Sequence, residues 1–589
     1  IPKTKKDLVK IVEFANSHKY PLIPRAAGTS LAGQCVGEGI IVDISRHFTE
    51  IIELNVEEKW VRVQPGVIRD QLNDYLEPFG LFFSPTTSTA NRAMIGGMVG
   101  NNSSGTTSIK YGCTRDKILE LDCILSDGTS CKFGDVNSET FKKKANQETL
   151  EGKIYQFIFD YLKSSKRQSE IIDAFPKPSI HRRNTGYALD ALINNQVFTD
   201  SDQMFNMSAL IAGSEGTLAF ISEIKLALDP LSPPEVAVVA AHFDNINESM
   251  KAAQVAMQHE PYACELMDKI ILDCTKGHLL YEKYRDFVQA DPAAILMVEL
   301  RSSTQKELNE LVDSLLQDLS TITESYANPV IYGSETASLW KLRSAGLGLL
   351  ANIKGDKKAV ACIEDTAVAL EDLPDYIDDF TSLMARFNQR SVYYAHAGAG
   401  EIHLRPILNL KKAEDVQDFH DITLEVAKLV KKYRGSLSGE HGDGRVRAEF
   451  IPIMVGEDIY KLFQEIKLCF DPHQIFNPGK IVDAPAMQSA LRQEVVHDEK
   501  WLTMLDFTHQ GGLLGAAEQC NGSGDCRKLP SAGGTMCPSY HATKNEKDTT
   551  RARANTLREI LSTQDKTKAF EQKVLHEVMD LCLSCKACA

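Results

Sequence analysis

Three imidazoles and a carboxylate stand close together in this sequence. His396-Ala-Gly-Ala-Gly-Glu-Ile-His403 lies upstream of Ser438-Gly-Glu440-His441-Gly-Asp443-Gly. Strand alternation alone would put His396 and His403 on opposite faces, but Gly398 and Gly400 let the backbone bend so that both converge. Two imidazoles and the Glu440 carboxylate suffice for an open divalent-metal site, and His441 is left as a candidate base. An isolated His is most often a satisfied core or surface residue. Three of them beside Gly and Glu in two short segments point to chemistry instead.

A second chemical set closes the chain. Cys582-x-x-Cys585-x-x-Cys588 has iron–sulfur spacing. The full ferredoxin spacing continues to a Cys-Pro; the sequence ends at Ala589 first, so the module is expected to be cut short. Upstream, Cys520-Asn-Gly-Ser523-Gly-Asp-Cys526 and Cys537-Pro538 fit the same spacing, with Ser523 where a middle Cys would sit. In two-cluster ferredoxins the Cys before Pro crosses to the other cluster. That logic gives one [4Fe–4S] set, Cys537, Cys582, Cys585 and Cys588, and leaves Cys520 and Cys526 short of ligands. A zinc knuckle is the plainer alternative, but such sites usually pair two Cys-x-x-Cys halves. The other eight of the 14 cysteines are scattered and read as buried, reduced thiols. This lopsided use suits a reducing compartment better than a disulfide framework.

Gly-rich loops near the N-terminus offer a third function. Pro24-Arg25-Ala-Ala27-Gly28-Thr29-Ser30-Leu31 follows a strand-like stretch. Ser84-Pro85-Thr86-Thr87 precedes Ile95-Gly96-Gly97-Met-Val-Gly-Asn101-Asn102-Ser-Ser-Gly105. Small residues let backbone N–H groups approach an anion, and hydroxyls add donors. One such loop is usually a structural turn; two in this order are stronger evidence. Neither is Gly-x-Gly-x-x-Gly opening a helix, so a nicotinamide Rossmann site is not indicated.

The elements that must position these groups alternate in type. Lys5–His18 and Asp70–Glu77 read as helices; Pro21–Pro24, Gly39–Ile44, Thr49–Leu54 and Trp60–Val63 read as strands. Lys142–Gly152 reads as a surface insertion, and strand signals return over Ala209–Leu228. Asp229-Pro-Leu-Ser-Pro-Pro234 is a Pro-rich linker. Strands at Val236–Phe243 and Ala294–Leu300 open a second α+β region that Asn477-Pro-Gly-Lys480 closes. The expected division is 1–232, 233–485 and 486–589, an α+β chain ending in a mostly helical iron–sulfur module. At 589 residues one core is too few. A formal charge of −15 argues against nucleic acid. No apolar run approaches a membrane span, and the chain opens at Ile1-Pro2, so a preceding targeting segment stays open. The expected location is cytoplasmic, or peripheral on the inner face of the membrane.

Taken in order, the two loops, Lys110-Tyr111-Gly112, Leu125-Ser-Asp-Gly128, Arg183-Asn-Thr-Gly-Tyr187 and Gly213-Ser-Glu215-Gly216-Thr-Leu218 resemble the vanillyl-alcohol-oxidase (PCMH) type of FAD domain. The resemblance implies that Gly28, Thr29, Ser30, Gly96, Gly97 and Asn101 meet the diphosphate and isoalloxazine. Gly216 and Ile221 would reach the flavin from a later strand. Arg25, Ala27, Leu31, Pro85, Thr86, Thr87, Asn102, Gly105, Tyr111, Gly112, Glu215 and Asn477 would complete the FAD site. Thr29 stands where covalent relatives often carry His, which implies non-covalent FAD.

Glu265-Leu-Met-Asp268, Trp340-Lys-Leu-Arg343, the His and Glu segments and Phe470-Asp-Pro…Asn477-Pro-Gly-Lys480 are similar to the flavin-linked D-2-hydroxy-acid dehydrogenases, which include D-lactate, D-2-hydroxyglutarate and glycolate enzymes. The resemblance covers about residues 1–485. It implies that His396, His403 and Glu440 bind zinc or manganese, that the metal holds and acidifies the substrate hydroxyl, and that His441 removes its proton. The α-hydrogen would leave as hydride to flavin N5, and Arg343 would pair with a carboxylate. Members acting on 2-hydroxyglutarate carry a Lys downstream of that Arg; here the stretch is Ala361-Cys-Ile-Glu-Asp-Thr-Ala367, so Arg405 is the expected replacement cation. The fused cluster suggests one-electron transfer to a carrier or quinone. D-2-hydroxyglutarate is the favoured substrate, D-lactate or glycolate the alternative. A flavin/iron–sulfur electron-transfer subunit without turnover of its own is the reading from another class. Homo-oligomerisation is left open.

Overall fold

The computed structural model describes residues 1–277, 281–351, 355–389, 392–492, 501–562 and 569–588. The passage into the cysteine region includes 493–500, which lie outside the described residues.

The chain opens with helix Lys5–His18, capped by Thr4, whose hydroxyl accepts from Asp7 N while the Asp7 carboxylate accepts from Thr4 N. Its Leu8, Val12 and Ala15 recur at helical spacing and are buried. Strand Leu22–Arg25 pairs in parallel with Ile40–Asp43 and delivers the chain into the first Gly-rich loop. A six-stranded antiparallel sheet follows, in the order Ile51–Asn55, Trp60–Val63, Phe220–Ala227, Ile118–Ile124, Ser130–Val136, Phe205–Asn206. Phe220–Ala227 alternates buried and half-buried residues, as a strand with one packed face should.

One sequence reading gains detail and another changes here. Lys142–Gly152 is mostly exposed and joins helices Ser138–Ala145 and Leu150–Leu162, whose Phe141, Ile154, Tyr155 and Ile158 enter the core. Ala209–Leu228 is a strand only from Phe220. Its start is the short helix Ser208–Ile211 and a turn in which Glu215 (φ +56°) and Gly216 (φ +70°) are left-handed. The Pro-rich stretch is also tied down, since Asp229–Pro230 pairs with Leu81–Phe82.

The second sheet has seven strands, ordered Val330–Tyr332, Glu235–Phe243, Ala294–Ser302, Ala263–Asp268, Tyr393–His396, Glu401–Leu404, Thr366–Ala367. Glu235–Phe243, Ala294–Ser302 and Ala263–Asp268 are almost wholly buried because helices cover both faces. The segment ending at Asn477 returns to the first part: Leu22 N donates to Ile475 O at 2.6 Å and Asn477 N to Leu22 O at 2.8 Å. The cysteine region is helical among the described residues, with Thr550–Ser562 as its longest helix. All 14 cysteines are free thiols.

Candidate active site

His396 and His403 meet through a hairpin. Tyr393–His396 and Glu401–Leu404 are antiparallel, with His396 opposite Glu401 and Tyr394 opposite His403. Side chains two apart on a strand, and those of directly paired residues, share a face. Tyr394, His396, Glu401 and His403 are therefore all on one face, and the His396 and His403 rings lie 5.0 Å apart. The turn is the one-turn helix Ala397–Ala399 followed by left-handed Gly400. A Cβ on Gly400 would lie 2.0 Å from Val368 O, so no other residue fits.

Glu440 and His441 come from a loop that Asp365 organises. Its Oδ2 accepts from Ser438 Oγ (3.0 Å), Glu440 N (2.9 Å) and His441 N (2.6 Å), and Oδ1 accepts from Arg447 Nη1 at 2.6 Å. The Gly442 carbonyl holds Arg447 as well. From the FAD side, Asn101 Nδ2 (2.9 Å) and Gln34 Nε2 (2.5 Å) donate to His441 O. His441 thus stacks on His403 at 5.2 Å and 15°.

Glu440 Oε1 is 3.5 Å from His396 Nε2, 3.7 Å from His403 Nε2 and 3.5 Å from His441 Nε2. Ligand atoms of His396, Glu401, His403 and Glu440 all lie within 4.8 Å of one another. Burial pushes Glu440 toward its neutral form, but Arg182 and the imidazoles of His396 and His441 outweigh it and hold the carboxyl well below its usual range. Burial and the neighbouring His396 and His441 push His403 well below an ordinary imidazole. For His441, burial lowers the value, while Asp365, Glu364 and Glu440 outweigh it and raise it to about 9. These donors fit a divalent cation. The Glu265 carboxylate binds His396 Nδ1 at 2.8 Å, which leaves Nε2 for a metal, and among the described residues His403 Nδ1, Glu401 Oε1 and His441 Nδ1 are buried without a hydrogen-bond partner.

A cavity of about 1340 Å³ runs from this centre to the Gly-rich loops. Of the expected FAD contacts, Arg25, Ala27, Gly28, Thr29, Ser30, Leu31, Thr86, Thr87, Gly96, Gly97, Asn101, Gly105, Glu215, Gly216 and Ile221 line it. Open space in front of Gly100 suits a flat ring system, while Gly97 packs against Ala26. The other five expected residues, Pro85, Asn102, Tyr111, Gly112 and Asn477, do not line it. Asn102 donates to Asn184 Oδ1 at 2.8 Å, and Asn477 donates to Gln34 O and Glu215 O. Both therefore brace the wall from behind. Pro85 turns its carbonyl to Arg69, Tyr111 bonds Ser232, and Gly112 closes the turn beside Asp116.

Arg343 and Arg405 line the same cavity, each already paired. Arg343 meets Glu265 and sits 4.0 Å from the Tyr394 ring; Arg405 Nη2 is 2.6 Å from Glu364 Oε1. Arg182, Glu364, Asp365 and Glu401 also pack around these groups and carried no sequence assignment. Only Glu401 had a usable signal, its place after Gly400 in the hairpin.

Cys537 and Cys588 share one hydroxyl: Thr550 Oγ1 is 3.7 Å from Cys537 Sγ and 3.1 Å from Cys588 Sγ. Cys537 and Cys526 are buried; Cys582, Cys585 and Cys588 are exposed. Cys520 lines the flavin cavity. Arg553 Nη1 lies 3.6 Å from Cys537 Sγ, a cation that suits a cluster bearing negative charge.

Residues 1–134 match the family described as FAD binding domain, 232–481 that described as FAD linked oxidases, C-terminal domain, and 519–589 that described as 4Fe-4S dicluster domain. D-2-hydroxyglutarate dehydrogenase of Pantoea ananatis is 32% identical over 641 aligned positions, covering 100% of this chain and 61% of the relative. The Escherichia coli D-2-hydroxyglutarate dehydrogenase is 33% identical, covering 95% and 55%. The chain thus spans about three fifths of these relatives' length. Glycolate oxidase subunit GlcD of Bacillus subtilis is 23% identical, covering 82% and 87%. In fold, 4-ethylphenol oxidase from Gulosibacter chungangensis superposes with a TM-score of 0.55 at 12% identity, covering 82% of this chain and 88% of that one. The chain thus carries, in order, regions that match an FAD binding domain, an FAD-linked oxidase C-terminal domain and a 4Fe-4S domain.

Proposed function

We propose that the protein oxidises D-2-hydroxyglutarate to its 2-oxo acid, in three parts divided near residues 232 and 485. The observation that carries this reading is the convergence of His396, His403, Glu440 and His441 at one end of the cavity that the FAD loops line at the other. The D-2-hydroxyglutarate relatives support the substrate class. When bound, non-covalent FAD supplies a two-electron acceptor, a zinc or manganese ion a Lewis acid, and a 4Fe–4S cluster a one-electron relay.

The protein's own residues do the rest. His441 in its neutral form, which grows as pH rises toward 9, receives the substrate hydroxyl proton, held in place through its backbone N–H on Asp365 and its carbonyl on Asn101 and Gln34. Arg343, backed by Glu265, faces the substrate's 1-carboxylate; a guanidinium matches that planar group. Arg405 faces the distal carboxylate. The helices on both faces of the second sheet exclude water from its buried strands. Electrons leave to a quinone, flavoprotein or other carrier. Among the described residues no helix is long and apolar enough to cross a membrane; a cytoplasmic or membrane-peripheral place is part of the proposal.

Dye-linked turnover with D- and L-2-hydroxyglutarate, D-lactate and glycolate tests the reading. D-2-hydroxyglutarate should give the highest kcat/KM. Preference for lactate or glycolate would shift the substrate to the smaller acids, and no turnover with any of them would favour an electron-transfer subunit.

A further inference from the structure

The iron–sulfur module reaches the flavin loop through buried arginines. Arg551 Nη1 donates to Gly28 O at 2.6 Å and Nη2 to Ala27 O at 2.9 Å. Arg527 Nη1 donates to the same Ala27 O at 2.9 Å. Glu546 lies between the two, 2.8 Å from Arg551 Nε and 3.0 Å from Arg527 Nη1, with Arg25 at 3.8 Å. The Arg527 and Arg551 side chains are 1% and 7% exposed, so water screens these contacts little. The grip is returned: Arg92 of the FAD domain donates through Nε to Ser523 O at 2.8 Å.

Peptide geometry gives these contacts a consequence. In a planar trans peptide the C=O of one residue points opposite to the N–H of the next. Drawing the Ala27 and Gly28 carbonyls toward the module turns the Gly28 and Thr29 N–H groups the other way. Among the described residues no protein acceptor meets either N–H, and Gly28 and Thr29 both line the flavin cavity. Successive inward N–H groups form an anion nest. Gly28 has φ +61°, and a Cβ there would strike the Arg25 guanidinium, so the loop has little freedom to find this shape otherwise.

We propose that Arg551 and Arg527, set by Glu546, shape the flavin's diphosphate loop from the module's side, so that seating of the module and binding of FAD are one coupled event. Coupling of this kind is reciprocal, and typical values span about 5- to 150-fold in affinity. FAD should therefore also steady the module.

The test uses the full chain with its cluster in place, stripped of FAD and titrated with FAD alone by flavin fluorescence. Arg551→Met should weaken FAD by about tenfold or more, Arg551→Lys should recover part of the loss, and Lys547→Gln, on the module surface, should leave affinity unchanged. Hydrogen exchange gives the reciprocal readout. FAD should slow exchange across 519–562 in the wild type and not in Arg551→Met. If Arg551→Met fails to fold, Glu546→Gln replaces it, with about three- to tenfold weaker FAD expected. FAD affinity within twofold of wild type, or equal FAD protection of the module in wild type and variant, would overturn the proposal. No substrate is used, so failure here is separate from failure of the catalytic reading.

Discussion

At the scale of single residues, groups that touch one another have distinct tasks in the proposed function. His441 is spare of the metal set and sits on its edge, so His441→Gln should lower kcat by about 10²- to 10⁴-fold while metal content and FAD binding persist. Loss of metal in that variant would make His441 a ligand instead. Glu265 acts one step back: it orients His396 through Nδ1, and Glu265→Gln should weaken metal binding by about 10- to 100-fold, read by competition with a chelator. Arg405 is assigned to the distal carboxylate in the proposed function. Arg405→Ala should raise KM for 2-hydroxyglutarate far more than for lactate, and equal effects would remove it from the distal carboxylate. The two histidines, Glu440 and His441 were legible because Gly and acidic neighbours set them apart. Arg182, Glu364 and Asp365 were not, because a buried ion pair leaves no local pattern: Arg182 meets Glu401 from 219 positions away.

At the scale of elements, the hairpin decides whether the site exists. Alternation alone predicted opposite faces for His396 and His403, and the Gly residues hinted at a bend. What the sequence could not supply was the pairing of Tyr394 with His403, since register depends on contacts across strands. Gly400→Ala should destabilise the protein by at least about 2 kcal/mol, through a left-handed residue whose Cβ meets a backbone oxygen, and should release the metal. Denaturation and metal analysis of that one variant would show whether the turn sets the site; full metal content would contradict it. Local elements were otherwise well read: the opening helix ends where its apolar spacing ends, and Trp60–Val63 is the strand expected. The misreading fell where a left-handed turn interrupts a strand-like run, as at Glu215.

At the scale of the whole molecule, three parts work as one because residues cross between them: Asn477 reaches Glu215 O, and Arg551 reaches Gly28 O. Composition could suggest three parts but not these crossings. Stability should carry a pH signature from the FAD domain. Burial, then the charge of Arg182, lowers His181 from 6.5 to about 4. The unfolded chain takes up that proton first, so this contribution is full above about pH 6.5 and is lost as pH falls toward 4. Between pH 7.5 and 5 the loss should be about 2 kcal/mol, and His181→Gln should flatten the urea-midpoint profile over that range. An unchanged slope would place the titration elsewhere. The reading stands or falls on His441 taking the hydroxyl proton of a D-2-hydroxy acid while bound FAD would take its hydride, beside a metal that His396, His403 and Glu440 would hold. Anaerobic bleaching of the flavin band by D-2-hydroxyglutarate, followed before chelation, after it and after metal is restored, tests this most directly. Rapid bleaching by the D-acid and not the L-acid, lost on chelation and regained with metal, is expected; bleaching that survives chelation unchanged, or none with FAD and metal both present, would contradict this mechanism.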